Sequence, residues 1–143
     1  MHTSPSDLAT VPLTSPDLIE ERVASIVGRA SRRQLWFLFL DGDDRQLSLL
    51  VPMDDFTLHP GRDDTARYAG FLSQVAMMAD ARSVIVVLER YSDATLTPAD
   101  RAWASALGAA ADASSLELRA MLLSHSGGIG WIPEAAREAV RPG

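Results

Sequence analysis

Ser83-Val84-Ile85-Val86-Val87-Leu88 is continuously apolar and rich in β-branched residues. Successive side chains of a strand point to opposite faces, so a strand with one wet face alternates polar and apolar positions. An unbroken apolar run of strand length marks a strand covered on both faces. This stretch therefore predicts a strand interior to a sheet, with helices on either side. The flanking segments supply helices. Upstream, Ala66, Tyr68, Ala69, Phe71, Leu72, Val75, Ala76 and Met78 recur at helical spacing from about Asp64 to Ala79. Downstream, Thr97-Pro98-Ala99-Asp100 opens a helix that runs through Ala102, Trp103, Ala106, Leu107 and Ala110 to about Ala113. Thr97 has the chemistry of an N-cap, Pro98 suits the first helical position, and Asp100 at the third can reach back to the cap. Met77-Met78 and Trp103 fall on helix faces expected to be core.

Further out, Leu35 to Leu40 is a compact aromatic-rich run and Gln46 to Val51 resumes an apolar pattern, with Asp41-Gly42-Asp43-Asp44 between them. That combination predicts a hairpin turned at Asp-Gly. Pro52 to Asp64, with its two prolines, Gly61 and four aspartates, reads as a loop. Leu116 to Leu123 reads as a strand, Ser124 to Gly130 as a polar glycine-rich turn before Trp131-Ile132, and Pro133 as the start of a final helix containing Ala135, Ala136, Ala139 and Val140. At the other end, Ser15-Pro16-Asp17 is a helix start, and Leu18, Ile19, Val23, Ile26 and Val27 form one apolar stripe of a helix over about 16–30. Residues 1–14, rich in Ser, Thr and Pro, are expected to be a mobile lead-in. The resulting order is α, β, β, α, β, α, β, short β, α. The fold class is α/β, a mixed central sheet of about four to six strands flanked by helices, in a single domain over 15–143.

Composition narrows the function. The chain has 143 residues and is 47% hydrophobic, enough for one core and too apolar for global disorder. All 13 basic residues are arginine, and lysine and asparagine are absent, as expected of a GC-rich bacterial genome. A net charge of −6 argues against nucleic acid and against an anionic membrane surface as partners. The short cluster Arg29, Arg32 and Arg33 reads as the solvated end of a helix. With no cysteine there is no disulfide, thiolate nucleophile or cysteine-ligated metal. The start carries no secretory pattern, and the longest apolar run is far short of the roughly 20 residues that span a bilayer, so a cytoplasmic location is expected.

Several pieces together resemble the RadC-like branch of the JAB/MPN metalloprotease superfamily, over about residues 35–132. They are Phe37-Leu-Phe-Leu-Asp-Gly-Asp43, Ala81-Arg-Ser-Val-Ile-Val-Val-Leu88, Thr97-Pro-Ala-Asp100 and Leu122-Leu-Ser-His-Ser-Gly-Gly128. The resemblance implies a JAB/MPN-like core with an extra N-terminal helix. Active members hold zinc with an H-x-H pair after the central strand and the aspartate of a later S-x-x-D, and an upstream glutamate serves the attacking water. In this sequence the H-x-H position is similar to Glu89-Arg90-Tyr91, only Asp100 matches a ligand, and no glutamate stands between Leu35 and Pro60. The resemblance thus implies a catalytically inactive relative, lacking most metal ligands.

Other constellations are weaker. His2, His59 and His125 are too dispersed for i, i+4 metal pairing. Ser124 and His125 are adjacent, so on a strand they point to opposite faces and cannot form a nucleophile–base pair. Gly127-Gly128-Ile129-Gly130 is followed by Trp-Ile-Pro rather than by a helix, which favours a turn needing positive φ over a phosphate loop. Asp41, Asp43 and Asp44 read as a solvated turn. The expectation is a non-enzymatic structural or protein-interaction module, whose partner is another protein or a second copy of the chain, with no resident cofactor or metal. Its alternatives are a hydrolase using an atypical metal site and a small-molecule sensor. The candidate cleft residues, beyond the strand ending at Leu88, are Glu89, Tyr91, Asp93, Thr97, Asp100 and His125; the acids Glu89, Asp93 and Asp100 form the best available ligand set, one suited to a hard cation.

Overall fold

The structure is a computed structural model that describes residues 11–54 and 56–137. In chain order the elements are α1 (Pro16–Ile26), β1 (Gln34–Leu40), β2 (Gln46–Met53), α2 (Asp64–Ala79), β3 (Ser83–Glu89), α3 (Pro98–Ala113), β4 (Glu117–His125), β5 (Gly128–Trp131) and α4 (Glu134–Arg137). The strands form one mixed sheet in the order β2-β1-β3-β4-β5. β3 lies at its centre, antiparallel to β1 and parallel to β4, and every one of its residues is buried. α3 makes the crossover that a parallel β3–β4 pair requires.

Alternation along the strands builds two cores. Leu35, Phe37 and Phe39 of β1, with Val84, Val86 and Leu88 of β3, face α2, α3 and α4, where they meet Tyr68, Leu72, Trp103, Leu107 and Ala136. Leu38, Leu40, Ile85 and Val87 face the opposite way, onto Ile19 and Val23 of α1. This is the three-layer arrangement that an all-apolar central strand demands. Trp103 is 1% exposed and sits edge-on to Phe56 and Tyr68, at 5.3 and 5.9 Å between ring centroids.

Local departures from the sequence reading have identifiable causes. α1 stops at Ile26 rather than near residue 30 because Gly28 takes φ +66° and its N–H turns back to the Val23 carbonyl, a left-handed helix stop. β2 runs on through Pro52, which is tolerated because β2 is an edge strand. In the β1–β2 turn the positive φ falls on Asp44 (+60°), not on Gly42. The Asp41 carboxylate accepts the Asp43 and Arg45 N–H groups, which makes the turn a type I turn closed by a left-handed residue. β4 extends to His125 and β5 begins at Gly128, so most of the expected glycine-rich turn is strand, and Gly128 at φ +140° supplies the conformation that favours glycine.

The lead-in is anchored at its described end. Leu13 is buried in the α1-side core, its N–H donates to the Asp44 carbonyl at 2.7 Å, and its carbonyl accepts from Arg119 at 3.0 Å. Residues 1–10 of that segment, and Ala139 and Val140 of the final helix, lie outside the described residues. Met77 and Met78, expected in the core, are 84% and 77% exposed, because Val75, Ala76 and Ala79 take the core-facing side of the last part of α2. Among the described residues no helix is long and apolar enough to cross a membrane.

Candidate functional site

β3 ends at Glu89 and Arg90 follows it, and the two side chains leave on opposite faces of the sheet. Glu89 follows Ile85 and Val87 onto the α1 side, where it is 2% exposed. Its Oε2 accepts from the N–H groups of Ser31 (2.9 Å) and Arg32 (3.4 Å), and its Oε1 from the Trp36 indole N–H (2.9 Å). The early stop of α1 at Gly28 is what brings the backbone at residues 31 and 32 over this carboxylate. Glu89 is thus a buried acceptor that ties the α1–β1 loop to the end of β3, as the cost of leaving a buried carboxylate without donors requires.

Arg90 follows Leu88 onto the α3 side. Its guanidinium grips Asp100 from the side, with Nε 3.2 and 3.1 Å from Oδ1 and Oδ2, and Nη2 2.8 Å from Oδ2. Nη1 donates to the Asp93 carbonyl (2.6 Å) and Nη2 to the Thr95 carbonyl (2.8 Å). Asp100 also closes the capping box of α3. Its Oδ2 accepts the Thr97 N–H at 2.9 Å, while its own N–H donates to Thr97 Oγ1 at 3.1 Å. The pair is buried, with the two side chains 11% and 7% exposed. Burial pushes the Asp100 carboxyl up, but the hydrogen bonds from Arg90 and Thr97 and the Arg90 charge outweigh it and hold the group below the ordinary carboxylate range. In the sequence Arg90 stands out only as the middle residue of Glu89-Arg90-Tyr91, whereas in the structure it is the hub of the loop.

The remaining candidates disperse. Tyr91 is 77% exposed. Asp93 turns its Oδ1 to the Thr95 N–H in a local Asx-type turn. The ring of His125 lies over its own hairpin. Its Nδ1 accepts from Gly127, and a Cβ on Gly127 would come within 3.3 Å of the ring, so the missing side chain makes room for the imidazole. Ser124 Oγ donates to the Gly28 carbonyl at 2.6 Å and faces away from His125. Thr97 and Asp100 are therefore joined directly by the capping box, and Arg90 ties Asp100 to the backbone of Asp93, while Glu89 stands across the sheet from them. The carboxylate set Glu89, Asp93 and Asp100 is not assembled, and among the described residues no group of three or more His, Cys, Asp or Glu is placed to hold a metal ion.

The arginine cluster also separates. Arg29 and Arg32 are exposed, but Arg33 lies 3.8 Å over the Phe56 ring and donates to the carbonyls of Phe56 (2.5 Å) and Thr57 (2.6 Å). Burial lowers the basicity of this guanidinium, and the Asp100 charge offsets that in part. Together with the Trp103 indole N–H, which donates to the carbonyls of Thr57 and Leu58, Arg33 fixes the loop after β2 against α3. Sequence reasoning missed this role because the partner carbonyls are more than twenty residues away in the chain. Among the described residues, cavities lined by none of the candidate cleft residues lie between the end of β2, this loop and α2, one of them bordered by Phe56 and Thr57. No protein-family profile matches the chain, and no curated protein matches it.

Proposed function

We propose that this protein is a non-catalytic structural or protein-interaction module, a degenerate relative of the RadC-like JAB/MPN domains in which an internal cation, Arg90, has taken the place of the metal. The observation that carries this reading is the buried Arg90–Asp100 pair. Asp100 is the residue that matches a family ligand, and its carboxylate is committed to the Arg90 guanidinium and the Thr97 amide. A zinc ion brought onto a carboxylate held in this way would face the Arg90 guanidinium and compete with a desolvated charge pair. Open zinc sites need about three protein ligands in tetrahedral geometry, and the acids nearest in sequence point elsewhere.

Elemental analysis of protein dialysed without chelator tests this reading. The expected result is no stoichiometric zinc and no metal-dependent peptidase activity. About one zinc per chain, lost on Asp100→Ala, overturns it and restores the hydrolase alternative.

A further inference from the structure

We propose that the cavity between the end of β2 and the start of α2 is a binding site for a small organic cation, an ammonium group carried on a compact apolar body. The cavity measures about 370 Å³ and is lined by Pro52, Met53, Asp54, Arg67, Tyr68 and Phe71. That volume lies within the range of small-molecule sites, and the lining follows their usual composition, apolar walls with a few polar groups at the mouth.

The walls are held from behind. Phe71 meets Phe37 and Phe39 edge-on, at 5.4 and 6.2 Å between centroids, and Tyr68 stacks on Phe37 at 5.8 Å, so both rings are locked to the buried face of β1. The adjoining loop is fixed by Arg33 and Trp103 through the carbonyls of Phe56, Thr57 and Leu58. A site preformed in this way loses little entropy when it is filled.

Charge decides the class of ligand. Arg67 is the cation of the lining, and it is already neutralised. Its Nη2 is 2.9 Å from Asp64 Oδ1, and the guanidinium lies 5.2 Å over the Tyr68 ring. Asp54 is exposed and enters no hydrogen bond or ion pair among the described residues. The uncompensated charge at the mouth is therefore negative. A second cavity of about 300 Å³, lined by Phe56, Thr57, Asp64 and Arg67, adjoins the first through Arg67 and adds no further cation. The net charge of −6 on the chain acts in the same direction, favouring approach of a positive ligand. The Phe71 ring and the Met53 thioether suit the apolar body and the polarised C–H groups next to an ammonium. Such a site serves the chain whether or not it is kin to the metalloproteases.

Calorimetric and NMR titration of the full chain with 2-phenylethylammonium, 2-phenylethanol and phenylacetate separates charge from shape. The expected result is binding of the ammonium at least tenfold tighter than of the alcohol, with shifts at Tyr68 and Phe71 and the weakest binding for phenylacetate. Asp54→Asn, an exposed substitution that leaves the core untouched, should reduce the ammonium-to-alcohol ratio to about one, and Asp112→Asn, exposed on α3, should leave it unchanged. The proposal is overturned by preference for phenylacetate, by a ratio that survives Asp54→Asn, by shifts confined to other residues, or by no binding of the three at millimolar concentration.

Discussion

Truncating Arg90 to alanine should cost the protein about 3–5 kcal/mol, the penalty for stranding one charge of a buried pair. The figure follows from what the guanidinium touches. Asp100 is 5% exposed, and without Arg90 its carboxylate keeps the Thr97 amide alone among the donors seen here. The carbonyls of Asp93 and Thr95 lose their donor at the same time, which unpins the loop between β3 and α3. Against a total stability of about 5–15 kcal/mol, and a urea m-value of about 1–3 kcal/mol/M, the unfolding midpoint should fall by more than about 1 M. Urea unfolding followed by circular dichroism measures it. Replacing both partners by apolar residues, Arg90→Met with Asp100→Leu, should recover much of the loss, since a buried pair exchanged for apolar groups is often neutral or stabilising. The double-mutant cycle should give a coupling near the top of the range of about 0.5–3 kcal/mol. A cost below about 1 kcal/mol for Arg90→Ala, the value of an exposed ion pair, would refute the reasoning and leave Asp100 open to other ligands.

The pH dependence should carry the same signature. The Asp100 pKa is depressed in the folded state, so its contribution is complete above the unfolded value of about 3.9 and is lost as pH falls through the lower folded value; the stability gap between wild type and Asp100→Asn should be constant above about pH 5 and close in acid. Glu89→Gln should cost about 1–3 kcal/mol in thermal or urea unfolding, because an amide NH₂ would then face N–H donors from Ser31, Arg32 or Trp36; a change within error of zero removes Glu89 as the tie between the α1–β1 loop and β3. Mild peroxide should oxidise Met77 and Met78 before Met121, which is 1% exposed, without lowering the unfolding midpoint, as peptide mass spectrometry can follow; early loss of stability would return the pair to the core.

Local chemistry in the sequence was sufficient for the elements and their order. The unbroken run at Ser83–Leu88 required burial on both faces, the Thr97–Asp100 spacing required a capping box, and Pro16 behind Ser15 required a helix start, because each depends on groups a few residues apart. Periodicity says which side chains share a face, but not how far a neighbouring layer extends over it. At the end of α2 the side facing the layer beneath is taken by Val75, Ala76 and Ala79, which leaves Met77 and Met78 in solvent, and Leu13 belonged to a segment without periodicity and yet is buried. The site was legible as a list of residues and not as an arrangement. Alternation alone puts Glu89 and Arg90 on opposite faces, but only the folded layers supply what each finds there: the turned-back end of α1 for Glu89, the start of α3 for Arg90. Arg33 on Phe56, and the cavity between β2 and α2, likewise join residues distant in the chain. Those pairings are set by how the helices seat on the sheet, a sum of many small packing energies that no short stretch of sequence contains.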